Sequence, residues 1–150
     1  MISPQEFQRF RFFAGAPYSL LNKLANFSAT RQFRAGERLL VEGGFATHLL
    51  IVKTGQVDIV YLMGDDHEVA AETAVSGDVI AWSAVLEPYH LTASAIATHD
   101  GELIEIDGHK LLELCETDSL LGYQLMKEIA KGLRDRLTGL RVQMAAAAAN

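Results

Sequence analysis

Cysteine, long apolar runs and basic residues in the middle of the chain are what this 150-residue sequence has least of. Its single cysteine, Cys115, cannot form an internal disulfide, and its place in the apolar run LLELC predicts a buried small hydrophobic residue rather than a nucleophile. No apolar run approaches the roughly 20 residues of a membrane helix, and the first six residues lack the pattern of a secretory signal. We therefore expect a cytoplasmic protein without a membrane partner.

Basic residues are concentrated at one end of the chain. Residues 119–150 carry five lysines and arginines against two acidic residues, a charge of +3, so that the rest of the chain carries −9 within the total of −6. A body of this charge is a poor surface for phosphates, and no helix-turn-helix pattern follows. We therefore expect no DNA binding by this chain alone, and we interpret the basic residues of the last segment as a solvated helix face.

Residue patterns typical of catalysis and metal binding are also missing. The five histidines are scattered and show neither HxH nor HExxH spacing. Ser83 lacks the flanking glycines of a nucleophile elbow, and no glycine-rich phosphate loop ends in Lys-Ser or Lys-Thr. We predict a protein that is not an enzyme and has no metal or cofactor. A metal site assembled in three dimensions, as in jelly-roll enzymes of the cupin type, stays open as an alternative.

Short β-type runs separated by glycine occupy the middle of the chain. From residue 30 to 107 turn signals recur about every ten residues, and alternating apolar positions are clear at 56–61 and 91–97. This pattern predicts a mostly β fold, a jelly-roll barrel of the double-stranded β-helix type. Residues 1–29 have the period of two N-terminal helices and residues 109–144 that of C-terminal helices. We predict a single domain over residues 1–150.

The long C-terminal helix, predicted from residue 119 to 144, carries an apolar stripe with alternating spacings of four and three. This spacing is typical of a coiled-coil seam and predicts a homodimer. The stripe consists of Met126, Ala130, Leu133, Leu137, Leu140 and Met144. The alternative is that the stripe packs on the chain's own barrel, although Leu125 and Ile129 offer a second apolar edge for that contact. The alanine run at 145–149 is interpreted as a frayed end or as foreign to the natural chain.

Five segments, taken in their order and spacing, have a specific resemblance. They are FRAGERLLVEGG (33–44), LLIVKTGQVDI (49–59), SGDVI (76–80), ATHDGELIEID (97–107) and LGYQLMKEIAKGLRDRL (121–137). Together they resemble the cyclic nucleotide-binding domain family, in particular bacterial catabolite-activator-like regulators, over nearly the whole chain. The resemblance implies a jelly roll whose C-terminal helix moves when a ligand contacts the phosphate-binding cassette.

The cassette of that family corresponds to residues 76–97, and here it departs from the family's pattern. The resemblance implies a glutamate after a glycine, which holds the ribose hydroxyl, and an arginine about nine residues later, which pairs with the cyclic phosphate. In this chain Ala81 stands at the glycine position, Trp82 at the glutamate and Leu91 at the arginine. Losing two hydrogen bonds to charged groups, each worth roughly 1.5–3 kcal/mol, lowers the affinity by about two to four decades.

A pocket without its usual charged groups is therefore predicted. Its candidate residues are Ile80, Ala81, Trp82, Ser83, Ala84, His90, Leu91, Thr92 and Ala93. Because no lysine or arginine occurs between Lys53 and Lys110, the barrel itself offers no replacement for the lost arginine. We interpret the chain as a sensory or regulatory module whose pocket is remodelled for a different small ligand or for none. Two alternatives stay open: binding of cyclic AMP or cyclic GMP through backbone N–H groups and His90, and an interaction domain with a protein partner and a pocket plugged by Trp82.

Overall fold

In a computed structural model that describes residues 2–149, two helices precede a six-stranded antiparallel sheet and two follow it. The helices are α1 (Pro4–Phe7), α2 (Tyr18–Asn26), α3 (Gly108–Thr117) and α4 (Ser119–Ala149). The strands are β1 (Ser28–Phe33), β2 (Arg38–Leu40), β3 (His48–Leu62), β4 (Glu68–Ala74), β5 (Val79–Ile80) and β6 (Ser94–Asp107). Short 3-10 helices lie at Arg11–Phe13 and Trp82–Val85. The mostly β jelly roll predicted from the sequence is confirmed.

The first helix of the chain is shorter than its apolar spacing predicts. Ser3 and Glu6 form a capping box at the start of α1, with Pro4 in the first turn, and the helix ends at Phe7. A 3-10 turn follows, and through this break Phe12 also becomes buried, together with Phe7, Phe10 and Phe13. A single helix would place Phe12 on a different face from the other three phenylalanines. Burial of four aromatic rings therefore favours the broken helix.

Two other boundaries differ from the sequence-based prediction. The first strand begins at Ser28, so the jelly roll covers residues 28–107 rather than 30–107. The last helix continues to Ala149 and includes the alanine run, which has high intrinsic helix propensity. Cys115 is half-buried against the N-terminal core, and burial raises the pKa of its thiol to about 11.

The barrel is built around the pairing of its two longest strands. Strand β3 pairs with β6 from His48 to Val60, and the register shifts where both strands bend. Gly55 has a φ of +90° there, and a Cβ on Gly101 would lie 2.1 Å from the Thr54 carbonyl oxygen. Glycine is required at Gly55 for the left-handed conformation and at Gly101 for the close approach. The remaining strands complete the sheet in the order β1-β6-β3-β4, with β2 paired to β6 and β5 to β3.

Buried apolar side chains form two main clusters, one on each side of the sheet's cassette end. The first joins the N-terminal helices to α3 and α4 and includes Trp82, and the second fills the barrel and includes Ile80 and Ala93. Neighbouring cassette residues therefore belong to different cores. The cassette is the place where the helices meet the barrel, which is where a change in one can be transmitted to the other.

Candidate ligand-binding site

The backbone of the cassette follows a left-handed turn into a single 3-10 turn. Ala81 has φ 62° and ψ 42°, a conformation that favours glycine, at the position where the family's pattern has glycine. The turn directs the Trp82 side chain away from the barrel interior and towards α4. The indole Nε1 of Trp82 donates a hydrogen bond to the Val79 carbonyl oxygen at 2.9 Å, which satisfies the only polar atom of the buried ring.

The cavity enclosed by the cassette is small. Its volume is about 30 Å³, and it is lined by Ile59, Ala81, Trp82, Ser83, Leu91, Thr92, Ala93, Ser94 and Arg136. One water molecule occupies roughly 30 Å³ in the liquid, whereas pockets for small organic ligands span roughly 300–1,000 Å³. In this conformation the cassette encloses space for about one water molecule and not for a nucleotide.

Six of the nine predicted pocket residues line this cavity, and three do not. Ile80 lines a neighbouring cleft, and Ala84 lies in an apolar pocket beside Phe45. His90 is exposed, and its ring packs edge-on against the Phe45 ring with 4.8 Å between centroids. Ser94, which the alternation places on the outer face, is buried. Its hydroxyl accepts a hydrogen bond from the Glu42 backbone N–H at 2.9 Å, which satisfies the buried polar group.

Arg136 reaches the cavity from α4, contrary to the prediction that the basic residues of this helix form a solvated face. The residue is only 8% exposed. Its Nε donates a hydrogen bond to the Glu72 Oε1 at 3.0 Å, and its Nη2 lies 2.9 Å from the same oxygen in an ion pair. Its Cζ lies 4.3 Å from the centre of the Trp82 ring. A cation therefore does lie beside the cassette, but it comes from outside the barrel and its charge is already neutralised.

A pattern on α4 could have revealed this contact before the structure was known. Gly132, Arg136, Gly139 and Gln143 are spaced by four, three and four residues and so share one helix face. A Cβ on Gly132 would lie 2.2 Å from the Trp82 ring, and one on Gly139 would lie 2.6 Å from the Ala71 carbonyl oxygen. The two glycines, which weaken an isolated helix, allow α4 to approach the cassette and β4 closely.

A neighbouring face of α4, one residue further along and so rotated by roughly 100°, carries the predicted seam. Leu121, Leu125 and Ile129 are buried against the barrel side, which confirms that a second apolar edge makes this contact. The seam residues point away from it: Met126 is 40%, Leu133 47%, Leu137 59% and Met144 72% exposed. Ala130 is also exposed, and Leu140 is half-buried. The alternative that the seam packs on the chain's own barrel is therefore wrong for this conformation.

A larger cleft of about 470 Å³ lies on the other side of Trp82, between α4 and the β4–β5 region. Its charged residues are Arg11, Glu72, Asp78, Glu128, Lys131, Arg134 and Asp135. Trp82 lines both the cleft and the small cavity, so its side chain forms part of the wall between them.

The described residues include neither a metal-binding cluster nor a membrane-spanning helix. Among residues 2–149, no group of three histidine, cysteine, aspartate or glutamate side chains is arranged to hold a metal ion. Within the same residues, every helix is too short or too polar to cross a bilayer.

A known protein family and several solved structures share this architecture. The family described as "Cyclic nucleotide-binding domain" matches residues 30–118. A solved structure from Geobacter metallireducens, named as a cyclic nucleotide-binding protein, is 31% identical with a TM-score of 0.77, and the match covers 91% of this chain and 99% of that one. No curated protein matches the sequence.

More distant structures share the fold. The catabolite activator protein of Thermus thermophilus is 20% identical with a TM-score of 0.73, covering 89% of this chain and 62% of its own. The regulatory subunit of a cAMP-independent protein kinase A from Trypanosoma brucei is 20% identical with a TM-score of 0.71, covering 85% of this chain and 44% of its own. With the jelly roll, the cassette and the C-terminal helix in place, the chain belongs to the cyclic nucleotide-binding domain family and is a regulatory module of that family.

Proposed function

We propose that this chain is a non-enzymatic regulatory module that does not use cyclic AMP or cyclic GMP as its ordinary ligand and that signals through the position of α4. The observation that carries the proposal is the cassette cavity of about 30 Å³, which is closed by Trp82 and Arg136. Trp82 and Leu91 also replace the two polar groups by which the family's pattern holds the ribose and the phosphate.

Electrostatics support the same proposal. Arg136, the one basic residue that lines the cavity, is hydrogen-bonded to the Glu72 carboxylate. An entering phosphate would have to displace that carboxylate or accept its repulsion at close range. His90 does not line the cavity, so binding of a cyclic phosphate through a protonated imidazole lacks geometric support.

The fold accommodates such a departure. The related kinase subunit from Trypanosoma brucei is named as cAMP-independent, and its cAMP-bound form is a triple mutant in which one substitution introduces an arginine. The present chain has leucine, not arginine, at the position where the family's pattern has its phosphate-binding arginine. We therefore expect that it too does not respond to cyclic AMP.

A second element of the proposal is that the module is a homodimer. The seam on α4 presents four large apolar side chains, Met126, Leu133, Leu137 and Met144, each at least 40% exposed. A contiguous apolar stripe of this kind on a regular helix is best buried against a second copy of the same stripe. In such a dimer the cassette contact and the dimer contact lie on neighbouring faces of one helix, roughly 100° apart, so displacement of α4 at one face changes the other.

Isothermal titration calorimetry with cyclic AMP and cyclic GMP tests the proposal directly. We expect no saturable heat at ligand concentrations up to about 100 μM, with a cyclic AMP-binding protein titrated in parallel as the assay control. A dissociation constant below about 10 μM for either nucleotide would show that the cavity opens and that the proposal is wrong.

One observation favours a second candidate function, an interaction domain without any small ligand. The ring of Trp82 is buried among the helices and satisfied by the Val79 carbonyl, so nothing in the cassette requires an occupant. A screen of small molecules by thermal shift separates the two functions. Stabilisation that is lost when Trp82 is replaced by alanine supports a ligand-sensing module, whereas no stabilisation by any compound supports the interaction domain.

A further inference from the structure

The groups that surround the Arg136 guanidinium have the chemistry of a cation site. The Trp82 ring covers it at 4.3 Å from Cζ to the ring centre, and the Tyr61 ring lies at 5.8 Å. Both distances are within the roughly 6 Å over which an aromatic face attracts a cation. The Glu72 Oε1 accepts a hydrogen bond from Nε of the same guanidinium and lies 2.9 Å from its Nη2 as an ion pair. Two aromatic faces and one carboxylate form a cage that suits a planar cation.

Negative charge around the cage extends beyond Glu72. Burial raises the pKa of Tyr61, and the carboxylates of Glu72 and Glu42 act in the same direction while Arg136 opposes them. Among residues 2–149, Arg136 is the basic residue that lines the cavity. If Arg136 were withdrawn, the remaining groups would attract a cation and repel an anion, which is the opposite of a phosphate cradle.

We propose that a binding site for a guanidinium-type organic cation lies beside the cassette of this chain, formed by Glu72, Trp82 and Tyr61, and that Arg136 of α4 fills it in the present conformation. The inference rests on the proposed function, because the Glu72 carboxylate that pairs with Arg136 beside the cavity would repel a cyclic phosphate. A free cation of the same chemical class competes with Arg136 for this site, and binding of that cation releases α4 from the cassette.

The contacts of α4 explain why release at Arg136 would affect the whole second half of the helix. Beyond Ile129 the barrel side of α4 has no large apolar residue, and it is held by Gly132 against Trp82, Arg136 against Glu72 and the Gln143 side chain on the Ala70 carbonyl. The Arg136 contact is the only one of these that involves a charge. Loss of it leaves the segment from 132 to 143 with little burial to hold it in place.

The variant Arg136→Ala, titrated with methylguanidinium, tests the site. We expect its Tm to fall by about 10 °C and the emission of Trp82, the only tryptophan, to change. Methylguanidinium should restore both with a dissociation constant on the order of 1 mM, from one stacking contact and one charged hydrogen bond. Arg141→Ala, an exposed arginine on the same helix, is the control, and it should show neither the loss nor the rescue.

Probes of different charge and shape show whether the site prefers a cation or an anion. Sodium phosphate and methylammonium are titrated at equal ionic strength. Rescue by methylguanidinium that exceeds rescue by methylammonium at least tenfold in affinity, with none by phosphate, supports a planar-cation cage. Rescue by phosphate, or no rescue of a folded Arg136→Ala protein by methylguanidinium, overturns the inference.

A second variant keeps the inference testable if Arg136→Ala does not fold. Glu72→Gln preserves the shape of the cage and removes its charge. We expect amide hydrogen exchange over residues 132–143 to accelerate at least tenfold, with Glu128→Gln as the control on α4, and unchanged exchange would refute the cage. Failure of the proposed function is a separate result, because it is read from cyclic nucleotide binding to the wild-type protein.

Discussion

The two faces of α4 do different work and are built from different residues. The face towards the barrel begins with Leu121, Leu125 and Ile129, all buried, and continues with two glycines and Arg136. The outer face repeats apolar residues over its whole length and leaves them exposed. The difference teaches that hydrophobicity alone does not identify the side of a helix that packs within its own chain. The more continuous apolar stripe is the one that the monomer leaves uncovered.

The inner face itself divides into two halves. Its first half is held by the burial of apolar side chains, a contact that is shared among several residues. Its second half is held by close approach at glycine and by one ion pair stacked on an aromatic ring. A helix anchored firmly at one end and weakly along the other can move without unfolding the domain, which is what a regulatory helix requires.

The largest expected effect separates the two faces by stability. Leu125→Ala removes a fully buried side chain, and we expect the free energy of unfolding to fall by about 2–5 kcal/mol. Leu133→Ala is the matched control, since the same side chain on the outer face is 47% exposed, and at low protein concentration it should change stability by less than about 0.5 kcal/mol. Chemical denaturation of both variants measures the difference. Equal losses would mean that the faces are not distinct.

The next effect separates the faces by assembly. Leu133→Asp places a charge in the proposed seam, and we expect the dissociation constant of the dimer to rise about 100-fold or more because the carboxylate would have to be desolvated. Val142→Asp makes the same chemical change at a position 63% exposed and outside the seam, and it should leave the dimer intact. Sedimentation velocity over a concentration series measures both. A dimer that tolerates Leu133→Asp would contradict the seam.

The smallest effect probes the close approach of α4 to the cassette. Gly132→Ala adds a methyl group at 2.2 Å from the Trp82 ring, and we expect a net destabilisation of about 1–2 kcal/mol despite the gain in helix propensity. Gly122→Ala, on the same helix, brings its methyl group no closer than 3.3 Å to Cys115, and it should be neutral or stabilising. Thermal unfolding followed by Trp82 emission compares the pair. A neutral Gly132→Ala would show that α4 does not need this contact.

Much of the architecture could be predicted from local pattern. Alternating residues such as Val57 and Ile59 identify strands because successive side chains point to opposite faces, and both are buried as expected. The break after Phe7 could not be predicted, because a spacing of three satisfies a continuous helix as well as a helix followed by a 3-10 turn. The choice between them depends on Phe12, whose burial is decided by packing against the rest of the core.

Some of the pocket residues could be predicted from the sequence and others could not. The order of residues in the chain predicts Trp82 and Leu91 at the cassette, and in the structure both line the small cavity. His90, next to Leu91, and Ile80, two residues before Trp82, do not line this cavity. The left-handed turn at Ala81 and the exposed loop at His90 direct their side chains to other parts of the surface and core. Arg136 lies more than fifty residues from Trp82 along the chain, so its contact with the cassette is not a local property.

By itself the sequence determined the jelly roll, the family and the loss of the charged groups that read a cyclic phosphate, since each depends on residue type and spacing along the chain. Only the tertiary structure decided which face of α4 packs inward, how small the cassette cavity is and that Arg136 fills the space beside Trp82. The reason is physical: periodicity specifies that a side chain belongs to a face, whereas burial, cavity volume and the pairing of a charge with Glu72 arise only when distant segments meet.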